Sequence, residues 1–113
     1  RCSVGLYSTP EDLDRFFDAL SGGRLVSARA YQDMQAPYVK DGAEGAALGF
    51  NVAESGVLHN GGDDGSGFYA VFWYDPRHDL RILALGNRWM DLEGRSLRKV
   101  LVPEVYASLG LRE

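Results

Sequence analysis

The run His59-Asn-Gly-Gly-Asp-Asp-Gly-Ser-Gly67 holds the chain's most suggestive chemistry. Within it only His59 exchanges a proton near neutral pH. Gly61 and Gly62 would let a second backbone or a ligand approach the chain closely. A bare strand edge at that point would aim N–H groups at an acyl oxygen. The same residues also read as a strand, a glycine-rich turn and a polar loop tip, because glycine and aspartate are what turns use. One wall of an active site and a decorated turn both remain open on these residues alone.

Other chemistries are excluded more firmly. A calcium loop needs oxygen ligands at alternate positions and a closing glutamate. Counting from Asn60 puts Gly62 and Val71 at ligand positions, and counting from Asp63 puts Gly65 at one. No phosphate-binding G-x-x-x-x-G-K run occurs. His59, His78 and Cys2 are the only histidines and the only cysteine, and none has a partner at zinc-ligand spacing, so neither metal nor cofactor is expected. His78, within Pro76-Arg-His-Asp79, reads as a solvated turn residue. Of the nucleophile signatures, G-x-S-x-G is absent, and Ala19-Leu-Ser-Gly-Gly23 is a loose echo at a helix end. Ser96-Leu-Arg-Lys99 has S-x-x-K spacing, which could set a lysine amine one helical turn from a serine. It reads as a chance pair on the polar face of a terminal helix. No Y-x-N or S-x-N occurs, so the chain offers an oxyanion wall without a nucleophile and its base. Arg88, Trp89 and Met90 follow a strand end and read as an approach loop to a helix.

The elements that would position His59 follow from composition and spacing. With 113 residues, 45% hydrophobic and 25% charged, the chain fits one globular domain. Its net charge of −4 carries no basic block, which argues against a nucleic-acid partner. Its apolar runs fall short of the roughly 18 residues of a membrane span. The first residues show neither a signal-peptide pattern nor an initiator methionine, so the chain is expected to be a piece of a longer one.

Thr9-Pro-Glu-Asp begins a helix to Leu20: Thr9 caps it, Pro10 suits its first turn, and Leu13, Phe16, Phe17 and Leu20 share one face. Ser27 caps a second helix running to about Met34, and Pro37 ends it. Residues 38–47 read as a Gly/Ala loop. Strands are expected at 48–53, 57–60, 68–74 and 80–85, the last two joined by the turn residues Asp75 to Asp79. Those two runs scarcely alternate, Arg81 apart, so the sheet should be covered on both faces. In the strand near Phe68, Tyr69 and Trp73 share one face, and Phe68, Phe72 and Tyr74 the other. Helical spacing returns from about Asp91 to Leu109, broken or kinked at Pro103. The expected class is α+β, an antiparallel sheet with helices on both faces.

The ordered series Gly5-Leu-Tyr-Ser-Thr-Pro-Glu-Asp-Leu-Asp-Arg-Phe, Leu48-Gly-Phe50, His59-Asn-Gly-Gly, Gly67-Phe-Tyr-Ala-Val-Phe-Trp-Tyr-Asp-Pro76 and Leu83-Ala-Leu-Gly-Asn87 resembles the C-terminal part of a family of serine hydrolases. These are the penicillin-binding-protein and class C β-lactamase-like enzymes, which include β-lactamases, D-aminopeptidases, DD-peptidases and esterases. The resemblance implies that His59-Asn-Gly61 is the family's third motif in its H-x-G form. His59 would then position substrate and assist proton traffic, Asn60 would line the cleft, Gly61 would give the strand room, and the Gly62 amide would complete the oxyanion hole. The S-x-x-K and Y-x-N motifs would lie upstream of Arg1. Ser96 follows the third motif rather than preceding it and takes no nucleophile role. Residues 1–113 are thus expected to be a single domain, the C-terminal fragment of a larger catalytic domain. Its expected partners are a small-molecule, peptide or ester substrate and the upstream part of the same protein, with a homo-oligomer also open. The alternative is a binding or assembly module that keeps the fold without the chemistry. Histidine in place of the motif's lysine leans, by resemblance, toward peptidase or esterase behaviour.

Overall fold

The computed structural model describes residues 6–41, 44–62, 67–88 and 93–112. Helix α1 spans Pro10–Ser21, with the Thr9 hydroxyl accepting from the Asp12 amide. Helix α2 spans Ala28–Gln35, and Ser27 Oγ accepts from the Ala30 amide. Both caps satisfy a backbone donor that the first helical turn leaves without an intrahelical partner.

Among the described residues six strands follow, each antiparallel to the next and neighbouring it in chain order: β1 Val39–Asp41, β2 Glu44–Ala46, β3 Asn51–Ala53, β4 Gly56–Gly62, β5 Tyr69–Asp75 and β6 Leu80–Gly86. The β1–β2 hairpin occupies the stretch that reads as a loop in sequence. Glycine and alanine carry little strand propensity, so pairing with β3 rather than local preference holds it. Helix α3, Leu97–Ser108, is one continuous element with Pro103 inside it. Pro103 lacks the N–H that would bond back one turn. Burial of Val102 and Tyr106 on either side of it holds the helix together.

Alternation along β5 sorts the two faces. Trp73 packs with Leu58, Ile82, Val102 and Tyr106 in a core beneath α3, where each large apolar side chain contributes about 1.5–3 kcal/mol over leaving it in water. On the opposite face Phe17 of α1 meets Phe72 at 4.8 Å and Tyr74 at 5.0 Å between ring centroids. Arg81, the polar break in β6, lies over the Phe17 ring at 5.4 Å and pairs with Asp14 and Asp18 of α1 at 2.8 and 2.6 Å. Helices therefore cover both faces, α1 on one and α3 on the other.

Candidate active-site strand

Strand β4 carries the histidine segment. A two-residue turn joins Ala53 to Gly56, and a Cβ at Gly56 would collide with the Tyr74 carbonyl. In such a hairpin the closing residues face each other's backbone groups, so Gly56 turns its amide toward β3. By alternation the amides of Leu58, Asn60 and Gly62 face that same side. Pairing with β3 reaches only Leu58, opposite Asn51, whereas pairing with β5 continues to Gly62, opposite Tyr69. Residues 59–62 thus form a strand with a partner strand on one side, and the Asn60 and Gly62 amides point to the other.

Val57 and Leu58 are buried, whereas His59, Gly61 and Gly62 are exposed. His59 stands in the rung of Phe72 and Leu83, on the face that α1 partly covers. Its Nδ1 lies 3.1 Å from the Gly49 carbonyl oxygen in the β2–β3 turn. No serine, threonine or lysine side chain among the described residues bonds to the ring. A Cβ at Gly61 would meet nothing within 4 Å, so among the described residues no atom demands glycine there. Beside Gly61 in the next rung stand Ala70 and Leu85, and Leu85 is 43% exposed. An apolar shelf therefore continues the sheet face past His59. The backbone of Asn60 belongs to β4, while Asp63 and Asp64 lie outside the described residues, as do Trp89, Met90 and Cys2.

The other serine candidates belong to helix ends. Ser21 of the loose elbow echo donates to the Phe17 carbonyl of its own helix at 2.8 Å. Ser96 is the N-cap residue of α3 and Lys99 is exposed on its first turn. Among the described residues no group of three or more His, Cys, Asp or Glu is placed to hold a metal ion. No helix there is long and apolar enough to cross a membrane.

His78 is an exposed residue of the β5–β6 turn, as the sequence predicts, and it is also paired. Its side chain is 30% exposed, with Nδ1 2.8 Å from Oδ2 of Asp75, which is fully buried. Asp75 also accepts from the Arg77 backbone amide at 2.8 Å, Arg77 Nη2 at 2.8 Å and the Tyr106 hydroxyl at 2.7 Å. The Arg77 hydrogen bonds, ahead of those from Tyr106 and His78, hold the Asp75 carboxyl well below the usual carboxylate range despite the opposing effect of burial. Burial, followed by the facing carboxylate, pushes the Tyr106 hydroxyl up. One signal in the sequence pointed here: Asp75 falls in phase with the inward positions Val71 and Trp73. This cluster ties the β5–β6 turn to α3, beyond the opposite end of β5 from Gly62, and serves architecture.

A protein-family model, Beta-lactamase, matches residues 2–107. The chain belongs to the Beta-lactamase family. A search of curated proteins and a search of solved structures each returned no match. The family assignment fits the sheet between helices, and it supplies a serine-hydrolase-like frame in which β4 can be read.

Proposed function

We propose that this chain is the C-terminal portion of a β-lactamase-like serine hydrolase that cleaves an amide or ester through an acyl-enzyme. The observation that carries the reading is the run from His59 to Gly62: an exposed imidazole followed by a strand edge to which, among the described residues, no strand is paired. The nucleophilic serine and its lysine come from the upstream part of the same protein, whose apolar surface would cover the Ala70–Leu85 shelf. The serine oxygen bonds to the acyl carbon and the amine or alcohol departs. Water then releases the acid and restores the serine. During both steps the Gly62 amide donates to the negative oxygen of the tetrahedral intermediate, an arrangement effective because the donor is already in place. Gly61 leaves space for the acyl group along the strand, and His59 positions substrate and passes protons; the side chain of Asn60 lies outside the described residues.

The test joins this chain to its upstream coding sequence, as separate polypeptides or as one, and follows hydrolysis of an activated ester and of nitrocefin. Turnover that needs both parts, and that a bulky residue at position 62 abolishes, is expected. A soluble complex that turns over neither substrate would refute the enzyme reading in favour of a binding module.

A further inference from the structure

The contact between His59 and Gly49 decides what kind of group the imidazole can meet. A carbonyl oxygen only accepts hydrogen bonds, so the 3.1 Å contact from Nδ1 requires hydrogen on Nδ1. In the neutral ring the lone pair is then on Nε2, which has no hydrogen-bond partner among the described residues.

The carbonyl is itself held in place. Leu48 and Gly49 make the β2–β3 turn, closed by the Ala47 amide donating to the Phe50 carbonyl at 2.8 Å. The Leu48 amide donates to the Met34 carbonyl in the last turn of α2 at 3.2 Å. Phe50 sets its ring 6.0 Å from that of Phe72, beside His59 on the same face. Gly49 has φ +82, a left-handed value that glycine adopts freely and asparagine tolerates, but that a β-branched residue resists.

We propose that the Gly49 carbonyl is a positioning group that fixes His59 as the Nδ1–H tautomer, so that Nε2 receives a hydrogen bond and favours substrates presenting a hydroxyl or amine there over those presenting a carboxylate. The tautomer stands on the contact alone, whereas the substrate preference rests on the proposed function. A neutral imidazole in this state has no N–H to offer a carboxylate at Nε2. A proton-bearing group finds the lone pair already oriented.

The tautomer is read directly. In the 113-residue chain labelled with 15N-histidine, long-range 1H–15N spectra with both rings neutral should show His59 protonated at Nδ1. Gly49→Val should move His59 toward the Nε2–H form, and Gly49→Asn should keep the parent pattern. His78, held by Asp75, reports in each spectrum whether the fold is intact. An Nε2–H pattern in the parent overturns the proposal, as does an unchanged pattern in a folded Gly49→Val. If Gly49→Val fails to fold, the parent and Gly49→Asn spectra decide. In the joined enzyme, two esters differing only in an amine or a carboxylate on the acyl part are then compared. The amine ester should have the higher kcat/KM, with the preference falling several-fold in Gly49→Val. Equal kcat/KM values overturn the substrate preference. Absence of turnover with either ester overturns the enzyme reading, while the spectra still judge the tautomer.

Discussion

The Tyr106 hydroxyl donates to the Asp75 carboxylate at 2.7 Å while accepting from the Trp73 indole N–H at 3.1 Å, so one oxygen joins α3 to the end of β5. All three side chains are buried. Tyr106→Phe keeps the ring and removes that oxygen, leaving the indole donor without its acceptor and Asp75 one donor short. The expected loss is about 1–3 kcal/mol, the usual cost of an unsatisfied buried polar group. It should appear as a lower urea midpoint at unchanged slope, and an unchanged midpoint would show that water replaces the hydroxyl.

Acid should act through the same carboxylate. Its folded value lies below the unfolded one, so its contribution is present above the ordinary aspartate range near ~4. That contribution is lost as pH falls from there through the folded value. Between neutral pH and pH 3 the parent should lose more stability than Asp75→Asn, even though the variant is weaker at neutral pH. Asp14 and Asp18, which pair with Arg81, remain in both proteins, so the difference reports Asp75 together with its partner His78. Parallel stability–pH curves for the two would sink the prediction.

Phe17 is the anchor of α1 on the sheet, 4% exposed and touching Tyr31, Phe72 and Tyr74. Phe17→Ala should cost about 3–5 kcal/mol and uncover the face that bears His59. Loss of α1 protection in hydrogen exchange would accompany it. Thr9→Ala removes only the cap bond to the Asp12 amide and should cost about 1 kcal/mol, with fraying confined to the first turn of α1.

The helix signals of α1 and α2 were legible because caps and apolar spacing are local. So were the positions of β5 and β6 and their two-sided cover, since apolar runs of that length demand it. The β1–β2 hairpin was not, because Lys40, Glu44 and Gly45 carry no strand signature: Lys40 is held by register with β2, and Glu44 and Gly45 by register with β3. Nor was the continuity of α3 through Pro103, where buried neighbours outweigh a loss of about 3 kcal/mol. His59 and the glycines stood out by residue type. The Gly49 carbonyl could not, because a backbone group has no letter of its own and only the β2–β3 turn brings it to the ring.

Substitutions on β4 and α3 separate the strand edge from the S-x-x-K pair. Ser96 makes no side-chain capping bond and Lys99 is exposed, so Ser96→Ala and Lys99→Ala should leave both stability and turnover of the joined enzyme within experimental scatter. Gly62 lies exposed at the end of β4, so Gly62→Trp should change stability by no more than about 0.5 kcal/mol, as surface substitutions usually do. If its amide faces the tetrahedral oxygen, the indole would deny the acyl group its place, and kcat should fall by at least about 10²-fold, the scale of losing one oxyanion donor. His59→Ala should lower turnover while preserving the sheet, because the exposed ring contributes only its bond to Gly49 among the described residues. Steady-state kinetics beside urea titrations of the same samples make the check. Loss of turnover in Ser96→Ala, or full turnover in Gly62→Trp, would move the reaction centre away from β4.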